Sequence, residues 1–273
     1  MPTTAEKRRE FRRLHASGCF IIPNPWDVGT ARYLQHMGCK ALATTSAGFA
    51  WARGVGDGSV PREAMLAHIA ELAAAVDVPL NADFENGYAH EPEGVAASVA
   101  LCIATGVCGL SIEDFGGDAA HGLYAFDMSV ARIKAARAAI DKAGGDVLLT
   151  GRSEGFIRGR PDMEETIRRL KAYAAAGADC LYAPGIVMRE QIAAVVAAVA
   201  PKPVNLLVGG AIDLRVADIA ALGVRRISTG GALARAAWGG LLRSVGRILR
   251  EGSFEELADA APGAEIMRGL RSA

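Results

Sequence analysis

Two carboxylates, Asp83 and Glu85, close an apolar run in the stretch NADFENGYAHEPEG, residues 81 to 94. On a strand, residues two apart face the same way, so the pair is expected to point at one place. Glu113, in CGLSIED, and Asp57, in GVGDG, bring two more carboxylates toward the same face. Like charges gathered in this way are unfavourable unless a cation lies among them. Oxygen ligands with no histidine or cysteine at ligand spacing point to Mg2+ or Mn2+ rather than zinc. The competing use of any one of these acids is to cap a helix.

Arg152, in VLLTGRSEG, is the one arginine expected directly at a strand end. Its planar fork can take a substrate carboxylate through two parallel hydrogen bonds. A salt bridge to Glu113 or Glu154 is the alternative. Ser46, Ala47 and Gly48 offer consecutive backbone N–H groups and a hydroxyl, a nest for a second carboxylate, or else an ordinary tight turn. Asn205, in PVNLLV, adds an amide. The six lysines (7, 40, 134, 142, 171 and 202) lie in the N-terminal segment, on helices or before strands. That placement removes Schiff-base chemistry from the active face.

These residues need elements that bring them together. Eight strand-like runs recur: SGCFIIPN, HMGCKALATTS, VDVPLNADFE, ATGVCGLSIED, KAGGDVLLTGR, AAGADCLYAPG, APKPVNLLVGG and ALGVRRISTGG. Helical patterns separate them. One opens at Asp162, three residues before Glu165, and closes at Gly177, and Asp127 is a candidate cap for another. Strands alternating with helices indicate parallel βαβ units, and eight of them close a (β/α)8 TIM barrel. A doubly wound sheet would carry a glycine fingerprint in its first βα turn, where this chain has NPWDVGTARYL. GVGDG at 54 to 58 follows the second strand without opening a helix and reads as a mobile lid. In such a barrel the chemistry stands at the strand ends, and the strand beginnings here read as plain Val, Leu, Cys and Ala.

The chain has 273 residues, close to the ~250 of one such barrel, so a single domain over 1–273 is expected. Residues 1–18 read as an N-terminal helical arm and 253–273 as an additional C-terminal helical segment. Thirty basic and thirty acidic residues give zero formal charge, with no field of the kind nucleic acid or anionic membranes require. No signal-peptide core and no run of ~20 apolar residues is present, so a cytoplasmic protein is expected. The five cysteines form no CxxC and are expected to be buried and reduced.

As an ordered set, NADFENGY, SIED, the strand-five arginine, PVNLLV and STGGALARAAWGGLL resemble the isocitrate lyase / phosphoenolpyruvate mutase superfamily from about Asn24 to Leu242. The resemblance implies Mg2+ held by Asp83 and Glu85, with Glu113 and Asp57. It implies a 2-oxo acid or its enolate held by Arg152 and by Ser46, Ala47 and Gly48. Tetramers, as dimers of dimers that exchange the last helix, are also implied.

Lyases of that family carry K-K-C-G-H after strand four, and the mutases a lysine and an asparagine. This chain has DFGGDAAHGLYAFD there, and RSEG in place of R-T-D after strand five. These departures favour chemistry that needs only an electron sink. The expected activity is Mg2+-dependent C–C cleavage of a small 2-oxo dicarboxylate, by oxaloacetate decarboxylation or a 2-methylisocitrate-lyase-like step. Where a base is needed, His121, Tyr88, Glu154 or a metal-bound water is available. The alternatives are C–P chemistry on phosphonopyruvate, phosphoenolpyruvate or carboxyphosphonoenolpyruvate, and a catalytically silent 2-oxo acid binder.

Overall fold

The computed structural model describes residues 1–117 and 122–271. Eight parallel strands form one sheet: β1 (Phe20–Ile22), β2 (Leu42–Ala43), β3 (Leu80–Asp83), β4 (Gly109–Glu113), β5 (Leu148–Arg152), β6 (Cys180–Tyr182), β7 (Val204–Leu207) and β8 (Arg226–Ser228). β1 pairs with β8, and the Ala43 N–H donates to the Pro23 carbonyl at 3.0 Å across the remaining gap to β2. The result is the expected (β/α)8 barrel.

The helices are α1 (Thr4–Ala16), α2 (Val28–His36), α3 (Ser46–Ala52), α4 (Arg62–Ala75), α5 (Pro92–Ala104), α6 (Phe126–Lys142), α7 (Met163–Ala175), α8 (Arg189–Val199), α9 (Val216–Ala221), α10 (Ala232–Glu251) and α11 (Gly263–Arg271). Asp162 caps α7 by accepting from the Glu165 N–H at 3.0 Å. Asp127 is not a cap: α6 starts one residue earlier, after Ala125, which leaves Asp127 in the first turn. There its charge still complements the helix dipole. α11 lies on α2, where the Tyr33 hydroxyl donates to Glu265 at 3.2 Å. Among the described residues no helix is long and apolar enough to cross a membrane. All five cysteines are free thiols; Cys102, Cys108 and Cys180 are buried, while Cys19 and Cys39 are partly exposed.

α1 stops the N-terminal end of the barrel. Phe11, Leu14 and the strand residues Phe20, Ile22, Ala43, Cys108 and Leu148 pack as one apolar cluster. The helix is fixed there by Arg8, which donates to the Val107 carbonyl at 2.9 Å and pairs with Asp146 at 2.9 Å. Gly109, the first residue of β4, makes room for it. A Cβ at that position would lie 2.7 Å from the Phe11 ring and 3.1 Å from the Leu148 carbonyl. Overpacking of this kind costs about 1–3 kcal/mol. Gly109→Ala is therefore expected to lower the unfolding free energy by about that much, read from a urea titration.

Candidate active site

The C-terminal ends of β3, β4 and β5 place Asp83, Glu113 and Arg152 side by side, with Glu113 directly opposite Arg152 in the strand register. Arg152 Nη1 lies 3.2 Å from Asp83 Oδ1, and Nε lies 3.4 Å from Glu113 Oε2 and makes a closer contact with Glu154 Oε1. Burial alone would depress the guanidinium. The surrounding Glu154, Glu113 and Asp83 hold it well above its ordinary value. The Tyr182 ring packs 5.1 Å from the Arg152 guanidinium carbon. Both salt-bridge alternatives for Arg152 are thus present, together with the pairing to Asp83.

Arg152 is not alone. Arg158 pairs with Glu154 at 3.0 Å, approaches Glu113 at 3.8 Å and stacks 3.8 Å over the Phe115 ring. Arg226 projects into the barrel at the start of β8, contrary to the expectation that strand beginnings carry only plain residues.

The carboxylates reach the mouth by different routes. Asp83 is the last residue of β3, so Glu85 is not on the strand, and strand alternation does not set its direction. Glu85 and Tyr88 adopt left-handed φ values of 46° and 55°, a conformation uncommon for non-glycine residues and concentrated at functional sites. The Tyr88 hydroxyl donates to Glu85 Oε1 at 2.7 Å. Arg132 secures the loop from behind by donating to the Asn86, Ala89 and His90 carbonyls while stacking 4.1 Å over Tyr124.

Ser46, Ala47 and Gly48 form the first turn of α3 rather than a nest or a tight turn. Thr45 caps it through the Gly48 N–H at 3.2 Å, and the Ser46 N–H donates to Asp83 Oδ2 at 3.1 Å. Two of the three N–H groups are thereby committed, and Ala47 lines the pocket.

Two small cavities adjoin here and share Ser46, Asp57 and Arg152. One, of about 160 Å³, contains Ala47, Asp83, Tyr182, Asn205 and Ser228. The other, of about 100 Å³, contains Glu85, Glu113, Phe115 and Arg158. A larger and shallower hollow of about 440 Å³ is walled mainly by Trp51, Val55, Trp238 and Leu242 and offers no comparable chemistry. Gly48 is buried behind the pocket: a Cβ there would meet the Thr45 side chain at 2.7 Å. His121 lies outside the described residues. Asp114, just past the end of β4, faces away from the site, accepting from Tyr173 at 2.6 Å and pairing with Arg169 at 3.1 Å.

Asp57, Asp83, Glu85 and Glu113 therefore share one region, but not as a preformed cage. Among the described residues no three His, Cys, Asp or Glu side chains converge as metal ligands. Arg152 draws Asp83 and Glu113 to itself, while Tyr88 engages Glu85. The donor chemistry nevertheless fits a hard, oxygen-liganded cation. Burial raises the Asp57 carboxyl, and the neighbouring Asp83 raises it further. Burial likewise raises Glu113, with Glu154 adding to it.

Glu85 is pushed up to about 7, chiefly by burial, with Asp83 and Asp57 adding to it and the Tyr88 hydrogen bond opposing. A carboxyl raised in the folded state contributes stability below its unfolded pKa and loses it as pH rises through the folded value. In metal-free buffer, wild-type stability is expected to fall from about pH 5 to pH 8 relative to Glu85→Gln. Thermal unfolding of the two proteins across that range checks it, and parallel curves would remove Glu85 as the cause.

Residues 11–249 match the family Phosphoenolpyruvate phosphomutase. The chain is 32% identical over 247 residues to an oxaloacetate decarboxylase from Paraburkholderia xenovorans (strain LB400), covering 83% of this chain and 75% of that one. A crystal structure from Burkholderia cenocepacia J2315, assigned provisionally as a lyase/mutase, superimposes with a TM-score of 0.93 at 48% identity, over 97% of this chain and 95% of that one. The structure of oxaloacetate acetylhydrolase in complex with the product oxalate superimposes with a TM-score of 0.85 at 26% identity, over 98% and 95% of the two chains. Eight parallel strands, acids and an arginine at the ends of β3 to β5, and a family match across nearly the whole barrel agree: the chain belongs to the phosphoenolpyruvate phosphomutase family and is a lyase-type enzyme of the phosphoenolpyruvate mutase/isocitrate lyase superfamily.

Proposed function

We propose that the protein is a Mg2+-dependent carbon–carbon lyase that cleaves a small 2-oxo dicarboxylate, with oxaloacetate decarboxylation foremost. The observation that carries this reading is Arg152: a mostly buried guanidinium lining a small polar pocket beside Asp83. The similarity to an oxaloacetate decarboxylase supports it. Asp57, Asp83, Glu85 and Glu113 would hold the cation. When bound, Mg2+ supplies Lewis-acid stabilisation of the negative charge that develops on the 2-oxo group.

The chain's own residues bind and orient. Arg152 pairs with the acid and stabilises the enolate charge, while α3 brings Ser46 and Ala47 to the opposite wall. As the bond between the methylene carbon and its carboxylate breaks, its electron pair forms the enolate double bond and the carbonyl electrons move onto the 2-oxo oxygen, giving CO2 and the pyruvate enolate. A proton from water then completes pyruvate. No protein base is needed to start this reaction, which fits a post-β4 loop without cysteine or lysine.

A second reading, C–P chemistry, gains one observation. Arg158 brings a cation against Phe115, on the loop where a phosphonate would call for one. The test is a pyruvate-release assay with oxaloacetate, methylisocitrate, citramalate and phosphonopyruvate, with and without Mg2+. Mg2+-dependent release from oxaloacetate is expected, and release from phosphonopyruvate alone would replace the first reading with the second.

A further inference from the structure

Among the described residues, Arg226 is a buried cation whose hydrogen-bond partners are all neutral. It is only 3% exposed and lines the pocket that contains Asp83, Arg152 and Tyr182. Its Nε donates to Asn205 Oδ1 at 2.8 Å, and Nη2 donates to Thr150 Oγ1 at 3.1 Å. Nη1 faces His15 Nε2 at 3.3 Å. That imidazole is neutral, its pKa pushed down to about 3 by burial and by Arg226, and its Nδ1 lies 2.8 Å from the Phe11 carbonyl. Nδ1 therefore carries the proton, and Nε2 accepts from the arginine.

A guanidinium has five N–H groups, so these contacts leave N–H capacity unused and the whole charge uncompensated. Burying a charge in this way is unfavourable unless an anion completes it. The pocket is open to such an anion.

The arginine also sets a direction. A guanidinium can only donate, so the Asn205 carbonyl must face Arg226, and its amide donates to Ser228 Oγ at 2.9 Å. Ser228, having accepted, keeps its one proton to donate on the pocket side, which it lines beside Tyr182. The β6–β8 wall thus presents donors above a positive floor.

We propose that Arg226 selects the second negative charge of the substrate, its uncompensated guanidinium and the one-way donor chain through Asn205 and Ser228 seating the distal carboxylate of a dianionic acid while Arg152 holds the 2-oxo end. This rests on the 2-oxo acid reading given above. A monoanion lacking the distal carboxylate gains nothing from this wall.

The test compares malate with lactate, which differ by that carboxylate, in calorimetric titrations of the Mg2+-supplemented protein. Wild type is expected to prefer malate. Arg226→Met removes the charge, and Asn205→Asp neutralises it in place while keeping Arg226 partnered, so the second variant retains its fold if the first does not. Both are expected to weaken malate binding by about 10- to 100-fold, the range of one charge-assisted hydrogen bond, and to weaken lactate binding far less. Equal weakening of both ligands, or unchanged malate binding, would overturn the role of Arg226. If that happened while wild type still released pyruvate from oxaloacetate, the functional reading would stand without it. A wild-type protein that neither bound malate nor turned over a 2-oxo acid would bring down both.

Discussion

Replacing Arg152 by lysine is expected to lower kcat/KM by about 10²- to 10³-fold, the loss seen when one preorganised oxyanion donor is removed. The charge survives in that variant, but the fork does not. Lysine cannot reproduce the simultaneous contacts to Asp83, Glu113 and Glu154 while also presenting two parallel donors to a substrate. Arg152→Met goes further, because it strips the principal cation from two nearly inaccessible acids, Glu113 and Glu154, whose side chains are 7% and 0% exposed. Breaking buried pairs in this way costs up to about 3–5 kcal/mol, and although Arg158 still faces both acids, this variant is also expected to melt below wild type.

The two effects can be separated. Adding Glu154→Gln to Arg152→Met removes one of the two acids that lost Arg152 and is expected to restore part of the melting temperature without restoring turnover. If the double variant recovered activity along with stability, Arg152 would be a structural residue only.

That residue was legible before any coordinates, and the reasons others were not are physical. An apolar run followed by a polar residue marks a strand end, and the barrel assigns chemistry to strand ends. Asn205 stands second in β7, where that strand begins, and the rule located only Asp83, Glu113 and Arg152 at strand ends. It missed Arg226 because the rule looks only at one end of each strand. What brings Arg226 into the pocket is its pairing with Asn205 across β7 and β8, a nonlocal register no short window reveals.

Glu85 was assigned to the right region for the wrong reason, since a left-handed turn carries it there and no propensity scale favours glutamate in that conformation. Ser46 to Gly48, read as a nest or a tight turn, open a helix instead. α3 is only seven residues long, and its single side-chain cap is Thr45. Arg158 acts from the loop beyond β5 through one helical-type spacing to Glu154, a pattern too common to single out.

Asp83→Asn is expected to abolish Mg2+-dependent turnover, by about 10³-fold, while the barrel remains folded. The asparagine is chosen because the aspartate has a structural duty besides its charge. Its Oδ2 accepts the Ser46 N–H at the start of α3, and alanine would leave that partly buried donor unsatisfied, at about 1–3 kcal/mol. An amide keeps an acceptor there and keeps the volume. What it removes is the negative charge that Arg152 and the proposed cation share. Arg152 itself is not orphaned, because Glu113 and Glu154 still face it. The variant should therefore melt close to wild type. Mn2+ binding, followed by electron paramagnetic resonance as loss of the free-ion signal, should weaken in step with turnover. Retained Mg2+-dependent activity would show that the cation does not depend on Asp83. Activity lost with Mn2+ binding intact would move Asp83 from holding the metal to orienting Arg152 and α3.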